Sequence, residues 1–231
     1  MTGIGDVLAR MEAIDRELPP GDGVRWFNRL YLEVTRRVAG TVPNEPEAAP
    51  GFLEQLDLGF AAAYFTALDA AGGGEPPPAY PYHAWKPLFE VRHRKGIAPV
   101  QFALAGMNAH INHDLAVGVC GVCIDRGVRP RVGSPEHADY EGVNPLIAQV
   151  ERDVKTWLTT GLLEELDEAF APADDVVAIW SVERARDGAW TSAELLWHLR
   201  DAESLRDDYL DANDHATGLA SRALLVPVGL A

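Results

Sequence analysis

The residues best suited to chemistry stand together in residues 106–115, with the sequence GMNAHINHDL. Five polar side chains are set there among apolar neighbours. A buried amide or imidazole without a partner costs a few kcal/mol, so each must be hydrogen-bonded, bound to a ligand or exposed to a wet pocket. The segment is therefore the candidate functional site. Its polar residues are Asn108, His110, Asn112, His113 and Asp114.

The spacing of these residues predicts two groups on a helix. At about 100° per residue, His110, His113 and Asp114 share one face, while Asn108 and Asn112 lie together on another. Two imidazoles beside a carboxylate suit either a pair of metal ligands or a histidine general base oriented by Asp114. We predict that the histidines and Asp114 are catalytic and that the two asparagines bind substrate.

A metal-bound form of this site would hold a divalent ion, zinc or similar, with His110 and His113 as ligands. Zinc usually takes three or four ligands, so others would have to come from elsewhere in the chain. The pattern H-x-x-H-D differs from the H-E-x-x-H of zinc proteases, and no third motif completes it. The nearest further candidates in sequence are His83, His93, Asp125 and His137.

The site leaves three functions open. An enzyme acting on a small, largely apolar molecule would use it for metal-assisted hydrolysis or for an acid/base step that isomerises or cyclises the substrate. Alternatively, the protein is a non-catalytic ligand-binding or partner-binding helical protein, and the histidines and asparagines tie helices together by satisfied hydrogen bonds.

A second group of aromatic and charged residues spans residues 180–197. Bulky aromatic rings beside fixed cations are typical of a pocket for an apolar ligand that carries one anionic group. From this group we predict Trp180 and Arg184 as substrate-binding residues. The pair Cys120 and Cys123 has redox spacing but no strand-to-helix setting, which favours buried small residues.

The elements around the site all have helical periodicity. Residues Pro99 to Ile124 are apolar nearly all round, which predicts a helix buried by others. Thr191 followed by Glu194 forms a capping-box pattern that predicts a helix start. We expect an all-α, single-domain bundle of about eight helices around the central helix, spanning residues 1–231 with a possible surface linker at 72–79.

The composition excludes several classes of partner. A formal charge of −15 over 231 residues would repel nucleic acid and anionic lipid. No run approaches the roughly 18 apolar residues that a membrane span needs, and the first residues lack the pattern of a secretory signal. We expect a cytoplasmic protein with a small-molecule ligand and neither nucleic acid nor membrane as partner.

Three segments carry a resemblance to a known family. Residues 96–115, which contain N-A-H-I-N-H-D-L, residues 20–28 (PGDGVRWFN) and residues 178–186 (AIWSVERAR) together resemble an uncharacterised bacterial family of domains of unknown function. The helix with N-A-H-I-N-H-D-L is the most specific part. The resemblance implies a shared fold and a shared site, and it implies no reaction.

Overall fold

A computed structural model describes residues 3–40, 47–72, 83–149 and 181–227. The described residues are helical and contain no strand, and none of their helices is long and apolar enough to cross a membrane. The α-helices are α1 (Ile4–Glu17), α2 (Gly23–Gly40), α3 (Phe52–Ala71), α4 (Lys86–Val91), α5 (Pro99–Ala109), α6 (Leu115–Asp125), α7 (Pro135–Gly142), α8 (Val182–Leu199) and α9 (Glu203–Leu224).

The centre of the bundle is one continuous helix made of α5, a single π-helical turn at His110–Asp114, and α6. Pro99 begins it, where a missing N–H costs nothing, and the Gln101 side chain accepts a hydrogen bond from the Ala98 amide. Helices α2 and α9 pack on α5, and α3 and α8 pack on α6. The prediction of a buried central helix is confirmed.

Two apolar cores flank the π-helical turn. The first joins side chains of α1 to α5, among them Met11, Phe27 and Trp85. The second joins α3 and α6 to α8, among them Phe52 and Trp190. The Asp114 carboxylate and its two histidines therefore lie where the cores meet, away from water.

The predicted fold class is confirmed as an all-α bundle in the described residues. Counting α5, the π-helical turn and α6 as one helix, the bounds above give eight helices. A further helical stretch covers residues 144–149, where this described range ends. Of the predicted linker at 72–79, only Gly72 is described, and it caps the end of α3.

The predicted helix start at Thr191 is wrong, because α8 begins nine residues earlier, at Val182. Ser181 is the N-cap, and its hydroxyl accepts a hydrogen bond from the Arg184 amide at 3.4 Å. Thr191 instead donates to the Asp187 carbonyl inside the helix. Glu194 accepts from the Trp190 indole, so neither side chain caps a helix end.

A glycine allows α2 to approach the site closely. A Cβ atom at Gly106 would overlap the ring of Phe27, which packs edge-on against Trp85 and His110. Only glycine leaves room for that ring one turn before His110. The close packing of α2 on α5 thus brings an aromatic ring to the histidine.

Candidate functional site

The catalytic residues predicted from the sequence occupy the π-helical turn. The Leu115 amide donates to the His110 carbonyl, five residues back, instead of the usual four. Such turns are rare and are frequent at functional sites. The turn is buried, with His110 2 %, His113 2 % and Asp114 3 % exposed.

The Asp114 carboxylate accepts three hydrogen bonds. Its Oδ2 atom accepts from His110 Nδ1 at 2.9 Å and from the Trp85 indole N–H at 3.0 Å. Its Oδ1 atom accepts from His113 Nδ1 at 2.9 Å. Burial favours the neutral acid, but hydrogen bonds and charge from both imidazoles outweigh it and lower the pKa of Asp114. The carboxylate is therefore ionised at neutral pH.

The two imidazoles present their outer nitrogens in the same way. Since each Nδ1 faces an ionised carboxylate, each carries its proton there, and Nε2 holds a lone pair when the ring is neutral. His110 Nε2 and His113 Nε2 are both buried and have no hydrogen-bond partner among the described residues. Buried polar atoms are nearly always paired, so two unpaired nitrogens beside one carboxylate are an unusual feature of this interior.

The surroundings push the two histidine pKa values in opposite directions. Burial lowers the pKa of His110, although the hydrogen bond and charge of Asp114 oppose it. Burial also disfavours the charged form of His113, but the hydrogen bond to Asp114 and the charges of Asp114 and Asp214 outweigh it, and its pKa is raised. His110 thus stays neutral to a lower pH than His113, which holds its second proton more tightly.

Aromatic rings from three parts of the chain enclose His110. Phe60 of α3 stacks on its imidazole with ring centroids 3.5 Å apart and planes 7° apart. Tyr31 of α2 meets it edge-on at 4.6 Å. The apolar rings explain why burial dominates the pKa of His110. The other rings near it, at 5.7–6.2 Å, are Phe27, Tyr64 and Trp85.

The two asparagines lie on the other face, as predicted, and bind within the protein. Asn108 donates to the Thr217 carbonyl and to the Ser221 hydroxyl, both on α9 and both at 2.9 Å. Its carbonyl oxygen accepts from Asn112 at 2.9 Å. All the donors and the acceptor of Asn108 are thus used inside the bundle, which favours a structural role; substrate binding by either asparagine stays a prediction.

The structure describes one of the two substrate-binding residues predicted from the second group. Arg184 is exposed on the first turn of α8, and Trp180 lies outside the described residues. The buried cation of this region is Arg186, 7 % exposed. It donates to the Asn144 side chain at 2.7 Å and to the Tyr140 carbonyl at 2.6 Å.

The metal prediction gains no third ligand from the described residues, since no three of their His, Cys, Asp or Glu side chains form a group able to hold an ion. Of the four candidates, His83 binds Asp214 near the surface and His93 lies beside Asp22. His137 packs against Trp190. Asp125 is exposed at the end of α6.

The cysteine pair matches its predicted role as buried small residues. Cys120 and Cys123 are both free and buried. Burial raises the pKa of both thiols, and that of Cys123 rises to about 12. Thiolates, the reactive form, are therefore scarce at neutral pH.

Sequence reasoning missed the partners that reach the site from other helices. Trp85 follows the aromatic run that begins at Tyr80, and a buried indole needs an acceptor, so its pairing with a buried carboxylate was open to inference. In the sequence, Tyr31 and Phe60 have the spacing of ordinary core residues in amphipathic helices. Arg186 lies two residues after Arg184. Its spacing of four residues from Trp190 was the only signal that Arg186 is the buried cation and Arg184 the exposed one.

A family of unknown function (DUF5995) matches residues 4–227. The match includes every described residue of the π-helical turn and of the helices packed on it. No curated protein and no solved structure matches the chain. Because the family match spans nearly the whole sequence, the chain belongs to this family of unknown function.

Proposed function

We propose that the protein is an enzyme that moves a proton on a small, largely apolar molecule. His110 is the general base, His113 is the general acid, and Asp114 is the positioning residue that holds both. One observation carries the proposal: two buried Nε2 atoms have no partner in the part of the chain that the structure describes, while both Nδ1 atoms are held by a single carboxylate.

The unpaired nitrogens argue against a purely structural pair. A histidine kept for stability needs partners on both nitrogens, because a buried nitrogen without one carries an uncompensated loss of hydration. In this site two such atoms stand one turn apart. A bound substrate that supplies a donor to one nitrogen and an acceptor to the other would satisfy both.

The opposite pKa shifts assign the roles. Neutral His110 takes the proton of a C–H bond next to a carbonyl, and the C–H electrons form a carbon–carbon double bond. The carbonyl π electrons move to oxygen, which takes the proton from His113 Nε2. One imidazole gains a proton as the other loses one, so the net charge around Asp114 stays constant through the step. In a β,γ-unsaturated carbonyl compound, His110 then returns its proton to the γ-carbon while the enol O–H proton goes back to His113, which re-forms the carbonyl and gives the conjugated isomer.

The aromatic rings around His110 select the substrate class. Phe60 and Tyr31 offer apolar faces and edges and no charge. A charged or strongly hydrated group there would lose its water without replacement. The part of the substrate beside His110 is therefore apolar.

Metal-assisted hydrolysis is the second candidate. Imidazoles whose Nδ1 atoms bind a carboxylate are common among metal ligands, which favours it. Zinc would need at least one more protein ligand, and the described residues supply none. Acid/base chemistry needs only the groups already in place.

The proposed step is tested by exchange with deuterium, which needs no knowledge of the product. Small apolar ketones and β,γ-unsaturated acids are incubated in D2O with the protein, and loss of the α-proton signal is followed by proton NMR. We expect the wild type to speed exchange for at least one compound. His110→Asn should slow it by about 10²- to 10⁴-fold, the usual contribution of a general base.

The matched control is His93→Asn, because the His93 side chain is 69 % exposed and distant in sequence from the π-helical turn. It should exchange like the wild type. Equal loss in both variants, or no exchange with any compound, would contradict the proposal. Metal content is measured on the same samples: near-stoichiometric metal that disappears from a folded His110→Asn, His113→Asn variant would favour metal-assisted chemistry instead.

A further inference from the structure

A second polar feature of the interior is a cavity of about 90 Å³ walled by helices α1, α2, α3 and α8. Val34, Leu56 and Leu115 supply apolar walls, and Asp57 and Arg186 are charged groups on its surface. We call it the Arg186 pocket. In this measure one water needs about 10–15 Å³, so the pocket holds roughly six to nine non-hydrogen atoms.

Arg186 brings a buried cation to the pocket. Among the described residues its hydrogen bonds go to uncharged groups, the Asn144 amide and the Tyr140 carbonyl. Its guanidinium also lies 3.9 Å from the centre of the Tyr140 ring. It forms no ion pair with a carboxylate of the described residues, although the charges of Glu141, Asp57 and Asp187 act on it from further away. A buried charge is costly until an opposite charge pairs with it, so the pocket favours an anion.

Asp57 supplies a group that can be protonated. Burial raises its pKa to about 6, although the charge of Arg186 opposes the rise and that of Glu47 adds to it. Below that pH the carboxyl is neutral and can donate a hydrogen bond to an anion bound at Arg186, whereas at neutral pH it is mostly ionised. Asp57 and Arg186 together can thus hold one carboxylate from two sides in mildly acidic solution.

We infer that the Arg186 pocket binds a small carboxylate with a compact apolar body, its anionic end on Arg186 and its body against Val34, Leu56 and Leu115. Two rings that line the pocket, Tyr31 and Phe60, also contact His110. The identification of this carboxylate as the substrate rests on the proposed function. The binding of a carboxylate in the pocket does not depend on that function.

Benzoate, with its nine non-hydrogen atoms, is the probe. Its binding to the full chain is followed by ligand-observed NMR over a concentration series at about pH 5, below the pKa of about 6 of Asp57, with benzyl alcohol as the uncharged analogue. We expect saturable benzoate binding and at least tenfold weaker binding of benzyl alcohol. Arg186→Gln should weaken benzoate binding at least tenfold. Arg200→Gln, at the exposed cation that ends the same helix, should leave it unchanged.

Because Arg186 also holds Tyr140 and Asn144, a second variant fills the pocket and keeps the charge. Val34→Phe places a ring in the cavity and should abolish saturable binding. Absent saturation in the wild type, equal affinity in the two arginine variants, or full binding by Val34→Phe would each overturn the inference.

The outcome is separable from the proposed function. His110→Asn should bind benzoate as the wild type does, since His110 itself is not needed to hold the carboxylate. If benzoate binds as expected while deuterium exchange is unaffected by His110→Asn, the pocket stands and the acid/base proposal fails. If benzoate does not bind as expected while His110→Asn slows deuterium exchange, the acid/base proposal stands and the pocket inference fails.

Discussion

Asp114→Asn should lower the free energy of unfolding by about 2 to 4 kcal/mol near pH 6. Three donors converge on this carboxylate, from His110, His113 and Trp85. An amide of the same shape accepts at one atom only, and its NH2 group would face an imidazole N–H. His113 would then have to lose its proton and give up its buried charge. Chemical denaturation of both proteins measures the difference.

The effect should depend on pH in a defined window. The lowered pKa of Asp114 gives stability that is present above the ordinary value of 3.8 and lost as the pH falls through the folded pKa. The raised pKa of His113 gives stability that is present below 6.5 and lost as the pH rises through the folded pKa. The difference between the variants should therefore be largest between those values and shrink above them.

Asp208→Asn is the matched control, because Asp208 is exposed on α9. Its free energy of unfolding should stay within about 0.5 kcal/mol of the wild type. A loss for Asp114→Asn no larger than this control would show that the carboxylate does not hold the two histidines.

Asn108→Ala should cost about 2 to 4 kcal/mol, a second large effect. The variant removes two donors to α9 and the acceptor for Asn112. It leaves the Thr217 carbonyl and the Asn112 amide without those bonds in the interior. Residues kept for function often tolerate truncation or gain stability from it, so the sign separates the two roles.

Asn112→Ala provides the comparison, because its side chain makes only the bond to Asn108 in the described part of the chain. We expect a loss of about 1 kcal/mol. If Asn108→Ala unfolds at the same denaturant concentration as the wild type, Asn108 is not a structural link, and its predicted role in substrate binding would gain support.

The helix that carries the site was predictable because its signals are local. Apolar residues all round the stretch from Pro99 onward required a buried helix, and helical spacing alone placed His110 beside His113 and Asp114. The same spacing placed Asn108 and Asn112 next to each other on a different face of the helix, and the structure shows a hydrogen bond between their side chains. Local pattern therefore identified both groups of polar residues and the fold class.

The widened turn and the long-range partners were not predictable in this way. A wheel of 100° per residue assumes bonds four residues apart, whereas Leu115 bonds five residues back to His110. The Trp85 donor lies 29 residues from Asp114. Asn108 bonds to Thr217 and Ser221, which are 109 and 113 positions further along the chain. Such pairings depend on how the helices cross, which periodicity does not specify.

The wrong helix start at Thr191 has a physical cause. The Thr191 and Glu194 pattern is satisfied inside the helix by bonds to the turn before it. Arg184 is exposed on α8 and Arg186 is buried, and substrate binding by Arg184 stays a prediction. A capping pattern and a cation near aromatic residues each span only a few residues. Which side of the helix packs on the core decides whether those side chains are buried or exposed.

The most direct test of the central claim is the titration of the two buried imidazoles by nitrogen-15 NMR. The chain has seven histidines, so single His→Asn variants assign the signals of His110 and His113. We predict that the pKa of His113 lies above 6.5 and that of His110 below 6.5, and that each neutral ring carries its proton on Nδ1. Equal pKa values, the reverse order, or neutral rings protonated on Nε2 would contradict an acid and a base held by one carboxylate.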